Sequence, residues 1–160
     1  MGPISNEVKS RIASKLGKDV KKFLEKAGFY LLQAPEVTEK EGRFFIDIFI
    51  DEPRQLIGER GKNLSAFQHL VRLIIRKKYD DEIIVDIDIN GYKRKRSEFL
   101  RDMALSVRRR AMLRKRDIEM EPMNAFDRRV IHSSLSQYDD IETESTGEGF
   151  SRRVVVKIKK

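Results

Sequence analysis

The sequence predicts an α+β protein built from two small domains, residues 1–91 and 92–160. Three observations predict it. Helix-spaced apolar residues alternate with short period-two runs of β-branched and aromatic residues. A Gly-x-x-Gly loop, Gly58-Glu59-Arg60-Gly61, separates two of the helical stretches. Charge is also uneven: residues 1–90 carry 16 Lys+Arg against 15 Asp+Glu, and residues 91–160 carry 18 against 11. A net of +1 in one half and +7 in the other concentrates the phosphate-attracting charge in the second half.

In chain order, residues 7–27 bring Val8, Ile12, Leu16, Val20, Phe23, Leu24 and Ala27 near one helical face among many lysines, and Gly28 supplies the stop. Residues 29–34 (Phe-Tyr-Leu-Leu-Gln-Ala) read as a strand that ends before Pro35. Residues 43–51 and 82–89 alternate apolar and polar positions and read as two more strands. Between them, Leu56 and Ile57 close a short helix. After the glycine loop, Leu64, Phe67, Leu70, Val71, Ile74 and Ile75 mark the apolar side of a longer helix, with Ser65, Gln68, His69, Arg72 and Arg76 opposite. Asn90-Gly91 ends the last strand, so the order through residue 90 is α-β-β-α-α-β.

Glycine at 58 and 61 lets the backbone approach a ligand closely, and the N–H groups that open the following helix point into the loop. An anion such as a phosphate is the natural guest. Two glycines three apart are by themselves more often a plain helix–helix turn. Lys62 and Asn63 behind the loop, matching apolar register on both sides and a strand at each end make the pattern specific. It resembles the GxxG signature of KH domains, and the element order is similar to the type II KH topology. The resemblance implies that the Gly58–Gly61 loop clamps the backbone of single-stranded RNA through its N–H groups and Arg60, with Lys62 and Asn63 beside it. Ile57 and Leu64 would contact the bases. Glu59 departs from the type by placing a negative charge where such loops usually hold a basic residue.

Segment 92–116 holds 11 basic and two acidic residues, and Tyr92, Phe99, Met103, Val107 and Ala111 run through it at helical spacing. It reads as one long amphipathic helix joining the modules, with a face that attracts phosphates and makes binding salt-dependent. Beyond it, Asn124 fits a helix N-cap, Asp127 favours the positive first turn, and Val130, Ile131 and Leu135 supply an apolar face. Arg128 and His132, four apart, project from one side of that helix. Residues 140–146 and 151–158 read as strands joined at Gly147-Glu148-Gly149. Pro-Met-Asn before the Arg-x-x-x-His and Glu-Gly-Phe-Ser-Arg-Arg-Val-Val-Val after it make this half similar to the domain named for that motif, a single-stranded nucleic-acid binder. The resemblance implies contact of Arg128 and His132 with phosphate or base, helped by Arg152 and Arg153.

A type II KH domain followed by a small α+β Arg-x-x-x-His domain is the arrangement of the bacterial Jag family, which the chain resembles over roughly residues 5–158. The likeness implies single-stranded RNA as partner, with single-stranded DNA as second candidate, and a role as RNA chaperone or post-transcriptional regulator linked to envelope growth. Many Jag proteins carry a further N-terminal domain with no counterpart in these residues. The competing class is a protein-interaction adaptor tied to membrane-protein insertion or cell elongation, with another KH protein as one possible partner.

Enzyme classes fare poorly. Cysteine is absent, which removes disulfide scaffolds, thiol nucleophiles and Cys-based zinc sites. His69 and His132 are the two histidines, too isolated for a dyad or a metal cluster, and His69 falls on a polar helix side. Asp86 and Asp88 alternate along a strand as a polar face, and Asp139-Asp140 reads as a turn. No Walker loop or dinucleotide fingerprint occurs. The expectation is therefore no catalysis, cofactor, metal or small-molecule substrate. No apolar run approaches membrane-spanning length, so a cytoplasmic protein outside the membrane is expected.

Overall fold

A computed structural model describes residues 6–78 and 83–159. The chain forms two compact units that divide between Lys93 and Arg94. The first contains α1 (Asn6–Lys26), β1 (Glu36–Lys40), β2 (Arg43–Ile48), α2 (Pro53–Ile57), α3 (Lys62–Lys78) and β3 (Ile84–Ile89). The expected order α-β-β-α-α-β is the order found. Glu82, the first residue of the expected third strand, lies outside the described residues.

Helix α1 turns Leu16, Val20 and Leu24 into the core, while Val8 and Phe23 stay partly exposed. Its end is a Schellman motif. The Phe29 N–H donates to the Leu24 carbonyl and the Gly28 N–H to that of Glu25, with Gly28 at φ +84°.

The strand expected at 29–34 is not formed. Leu31 makes one isolated antiparallel bridge to Ile50, and the first strand lies beyond Pro35. Its sequence, Glu-Val-Thr-Glu-Lys, suits an edge: exposed and half-buried residues alternate and charge is frequent. A two-residue turn joins it to β2, with Lys40 paired to Arg43 and positive φ at both Glu41 (52°) and Gly42 (77°). That is the requirement of a type I′ hairpin.

Strand β2 pairs antiparallel with β1 and parallel with β3, Ile46 opposite Ile87 and Ile48 opposite Ile89. Phe44, Ile46, Ile48, Val85, Ile87 and Ile89 form the buried face, covered by α1 and by Leu64, Phe67, Val71 and Ile75 of α3. Leu70 and Ile74, expected on that face, are instead about half exposed (50% and 46%). Gln68 and Arg72, expected on the solvent side, reach the β3 backbone: the Arg72 Nε donates to the Val85 carbonyl at 2.9 Å. Gln68 Oε1 accepts from the Ile87 N–H and the Lys93 Nζ. An edge strand needs partners for its unpaired backbone groups, and this requirement turns α3 relative to its apolar periodicity.

The second unit contains most of α4 (Tyr92–Arg114), then β4 (Ile118–Glu119), α5 (Ala125–Leu135), β5 (Ile141–Thr146) and β6 (Arg153–Ile158). Its sheet is antiparallel in the order β4-β6-β5, and β4 is an addition to the expected hairpin. Helix α4 buries Leu100, Ala104, Val107 and Ala111 against Ile131, Leu135, Ile141, Val154 and Val156. Phe99, expected inside, is 56% exposed. Leu100 takes the core position next to Phe99, Met103 packs partly against the core beside buried Ala104, and alanines at 104 and 111 let the helix approach closely. No helix of the described residues is long and apolar enough to cross a membrane.

Candidate nucleic-acid interface

Two exposed, cation-bearing places carry the residues singled out from the sequence. The first is the glycine loop between α2 and α3. Gly58 takes φ 70°, ψ 178°, a region open essentially to glycine, and its N–H caps α2 on the Arg54 carbonyl. Arg60 adopts a left-handed conformation (φ 52°, ψ 28°), and Gly61 follows at φ 78°. The loop is latched on both sides. Asn63 Nδ2 donates to the Gln55 carbonyl at 2.7 Å, and its amide lies 2.5 Å from where a Cβ on Gly58 would stand. A Cβ on Gly61 would meet the Tyr92 ring at 2.9 Å.

Glu59, Arg60 and Lys62 are exposed, and Lys62 opens α3. Three backbone N–H groups here are already spent, Gly58 on the Arg54 carbonyl, Gly61 on that of Gly58 and Lys62 on that of Glu59, so an anion beside the loop would meet the side chains of Arg60 and Lys62 rather than the clamp of N–H groups that the resemblance implies. The other expected residues divide. Ile57 is half-buried and packs against the core. Leu64 is 3% exposed and belongs to that core, so it cannot meet a base. Asn63 serves to shape the loop.

The second place is the N-terminal half of α5 with the β5–β6 loop. The Asn124 side chain accepts the Asp127 N–H at 2.9 Å, the expected cap. Asp127 does more than favour the helix dipole: fully buried, it takes Arg96 Nη2 at 2.6 Å and Nε at 3.4 Å. Arg108 is likewise held, by Asp140 (Nε–Oδ1 3.0 Å) and over the Tyr138 ring at 4.0 Å. That partner holds the Arg108 guanidinium above its ordinary pKa and the Asp140 carboxyl below its own. Arg96 and Arg108, read from sequence as part of a phosphate-facing stripe, are thus structural braces.

Arg128 donates from Nη1 to the Met123 carbonyl at 2.8 Å, and the Met123 N–H donates to the Arg152 carbonyl at 3.1 Å. Both arginines are therefore anchored about one residue. Partial burial, then the nearby positive Arg152, lowers the Arg128 pKa. Arg152 is exposed, whereas Arg153 pairs with Glu119 at 3.1 Å and donates from Nε to the Ser151 carbonyl. His132 differs from expectation. Its Nδ1 lies 2.7 Å from Thr143 Oγ1 and its Nε2 2.7 Å from Ser145 Oγ, so both ring nitrogens are engaged with β5. Burial, then Arg128, lowers its pKa and favours the neutral ring.

A neutral imidazole has one donor and one acceptor. One hydroxyl therefore donates to the ring, and the other accepts from it and keeps its own proton for a ligand. Thr143 and Ser145 were not singled out from sequence. The signal was their i, i+2 spacing on the strand that α5 covers.

The second unit is a small α+β module, and residues 98–157, which carry the His–hydroxyl clip, match the R-three-H domain family, named for its Arg-x-x-x-His motif. Over a longer stretch the chain is similar to bacterial proteins called RNA-binding protein KhpB. The one from Clostridium symbiosum is 34% identical over 125 residues, covering 78% of this chain and 56% of that protein. The one from Bacillus subtilis (strain 168) is 32% identical over 129 residues, covering 78% and 62%. The one from Lactiplantibacillus plantarum is 28% identical over 121 residues, covering 74% and 38%. The chain therefore spans less than two thirds of the length of these relatives.

Proposed function

We propose that the chain binds single-stranded RNA through two modules and carries out no catalysis. The observation that carries this reading is the Arg128 guanidinium anchored on the Met123 carbonyl, with exposed Arg152 fastened by its main chain to the same residue, beside the His132 clip. A positive Arg152 near Arg128 favours an anion beside them, and a planar fork suits phosphate. The names of the relatives support RNA as the polymer that carries it.

The first unit acts in this reading as a type II KH domain. Supporting it are the element order, the parallel β2–β3 pair and the latched Gly58–Gly61 loop. The side chains of Arg60 and Lys62 would hold the backbone, with Ile57 at the edge of the base groove. In the second unit Arg128 and Arg152 hold phosphate. His132 acts through Thr143 and Ser145, and Arg153 positions the loop. The cellular setting is the one the Jag resemblance implies: a cytoplasmic RNA chaperone or regulator linked to envelope growth.

Replacing Arg128 and Arg152 together by Ala, against Arg109 and Arg110 together by Ala, tests this. Each pair removes the same charge, so counterion release alone predicts equal losses and equal changes in salt slope. A larger loss for Arg128/Arg152 on one single-stranded RNA supports a built site. Equal losses defeat it.

A second reading, the protein-interaction adaptor, is favoured by Leu70, Leu73 and Ile74, which lie half exposed along one side of α3. A partner protein retained after nuclease treatment, with no RNA recovered on crosslinking, would establish it.

A further inference from the structure

Phe150 is 94% exposed, more than any other large apolar side chain among the described residues. Isolated exposed apolar residues are ordinary. The backbone that carries this one is not. Ser151 donates from both N–H (3.0 Å) and Oγ (2.8 Å) to the Glu148 carbonyl. The Arg152 N–H returns to the Gly149 carbonyl at 3.4 Å. Gly147, at φ +81°, lies against Ser151, whose carbonyl oxygen would stand 3.1 Å from an added Cβ. The Met123 N–H then holds the Arg152 carbonyl, so the far end of the turn is fastened to the segment before α5. A hydrogen-bonded turn thus presents an aromatic ring from a backbone already ordered, so covering it costs little backbone freedom.

Position says what could cover it. Phe150 stands two residues from Arg152, at most roughly 7 Å along the chain, which is the scale of one nucleotide. Arg152 and Arg128 share Met123. A flat apolar face near two arginines is the combination that holds single strands: bases stack on the ring and phosphates meet the cations.

We propose that Phe150 is a base-stacking residue, carrying an unpaired RNA base on its ring while the adjoining phosphate pairs with Arg152 and Arg128. This rests on the reading that the second unit binds single-stranded RNA.

The test measures binding of the full chain and of F150A, F150W and R128A to a mixed-sequence single-stranded RNA and to an abasic strand of equal length. F150A should bind the RNA about fivefold or more weaker, the scale of one lost base stack. Its salt slope should match the parent, because no cation is removed. F150W should restore affinity, and on the abasic strand F150A and the parent should bind alike. The melting temperature should not move, since the ring is exposed. If R128A weakens binding and F150A does not, stacking is overturned while the site stands. Equal weakening of F150A on both strands means Phe150 acts through loop shape or backbone contact, which also overturns it. If neither variant changes affinity, the RNA site itself fails and the proposal with it.

Discussion

Arg94 and Arg96 are indistinguishable in a charge count, yet their replacement should have very different consequences. Asp127 is fully buried, and Arg96, whose side chain is 16% exposed, is its bidentate partner. Arg96→Ala leaves a carboxylate in the interior beside its Asn124-capped turn, and breaking one side of a buried pair costs about 3–5 kcal/mol. About 3 kcal/mol is therefore expected, or roughly 12–24 °C in the transition of a unit this size.

Urea unfolding followed by the methyl signals of Val154 and Val156, both in the same core, reads the second unit directly. Arg94→Ala, at an exposed position, is the control and should shift the midpoint by less than about 0.5 kcal/mol. Equal midpoints for the two variants would refute the brace.

Gly58→Ala should cost about 1–3 kcal/mol from its backbone conformation alone. Displacement of the Asn63 latch should weaken RNA binding further, and pairing it with Asn63→Ala should relieve the clash without restoring affinity. Glu59→Lys should tighten RNA binding by up to about 1 kcal/mol at low salt, a gain that fades as salt rises; a loss of affinity instead would mean that Glu59 makes a contact of its own. His132 has a folded pKa below its ordinary 6.5, so its contribution to stability is present above that value and is lost as pH falls through the folded pKa. His132→Gln should flatten this acid loss in a stability–pH profile of the Val154 methyl signal.

Much of the candidate site was legible because it lies in local chain chemistry. Asn124 as cap, Gly28 as helix stop and the Gly58–Gly61 turn follow from side-chain and backbone preferences within a few residues. Less legible were positions decided between elements. Pro35 drew the first strand boundary to its wrong side, because Phe-Tyr-Leu-Leu is the stronger β-former and the exposed edge strand Glu36–Lys40 buries too little to announce itself. Leu64 was read as a base contact because periodicity marks a face as apolar without saying what covers it.

By itself the sequence determined the kinds of element, their order, and the places of the Gly58–Gly61 loop and the Arg128–His132 motif, since these depend on propensity, spacing and turn chemistry. Only the tertiary structure decided which charges were available. Arg96, Arg108 and Arg153 belong to the same basic count as Arg128 and Arg152, yet Asp127, Asp140 and Glu119 hold the first three. Those carboxylates stand 31, 32 and 34 residues from their partners. The physical reason is range. A propensity acts within a few residues, whereas an ion pair forms wherever packing brings opposite charges within a few ångströms, and that distance exists only once the helices and sheet have met.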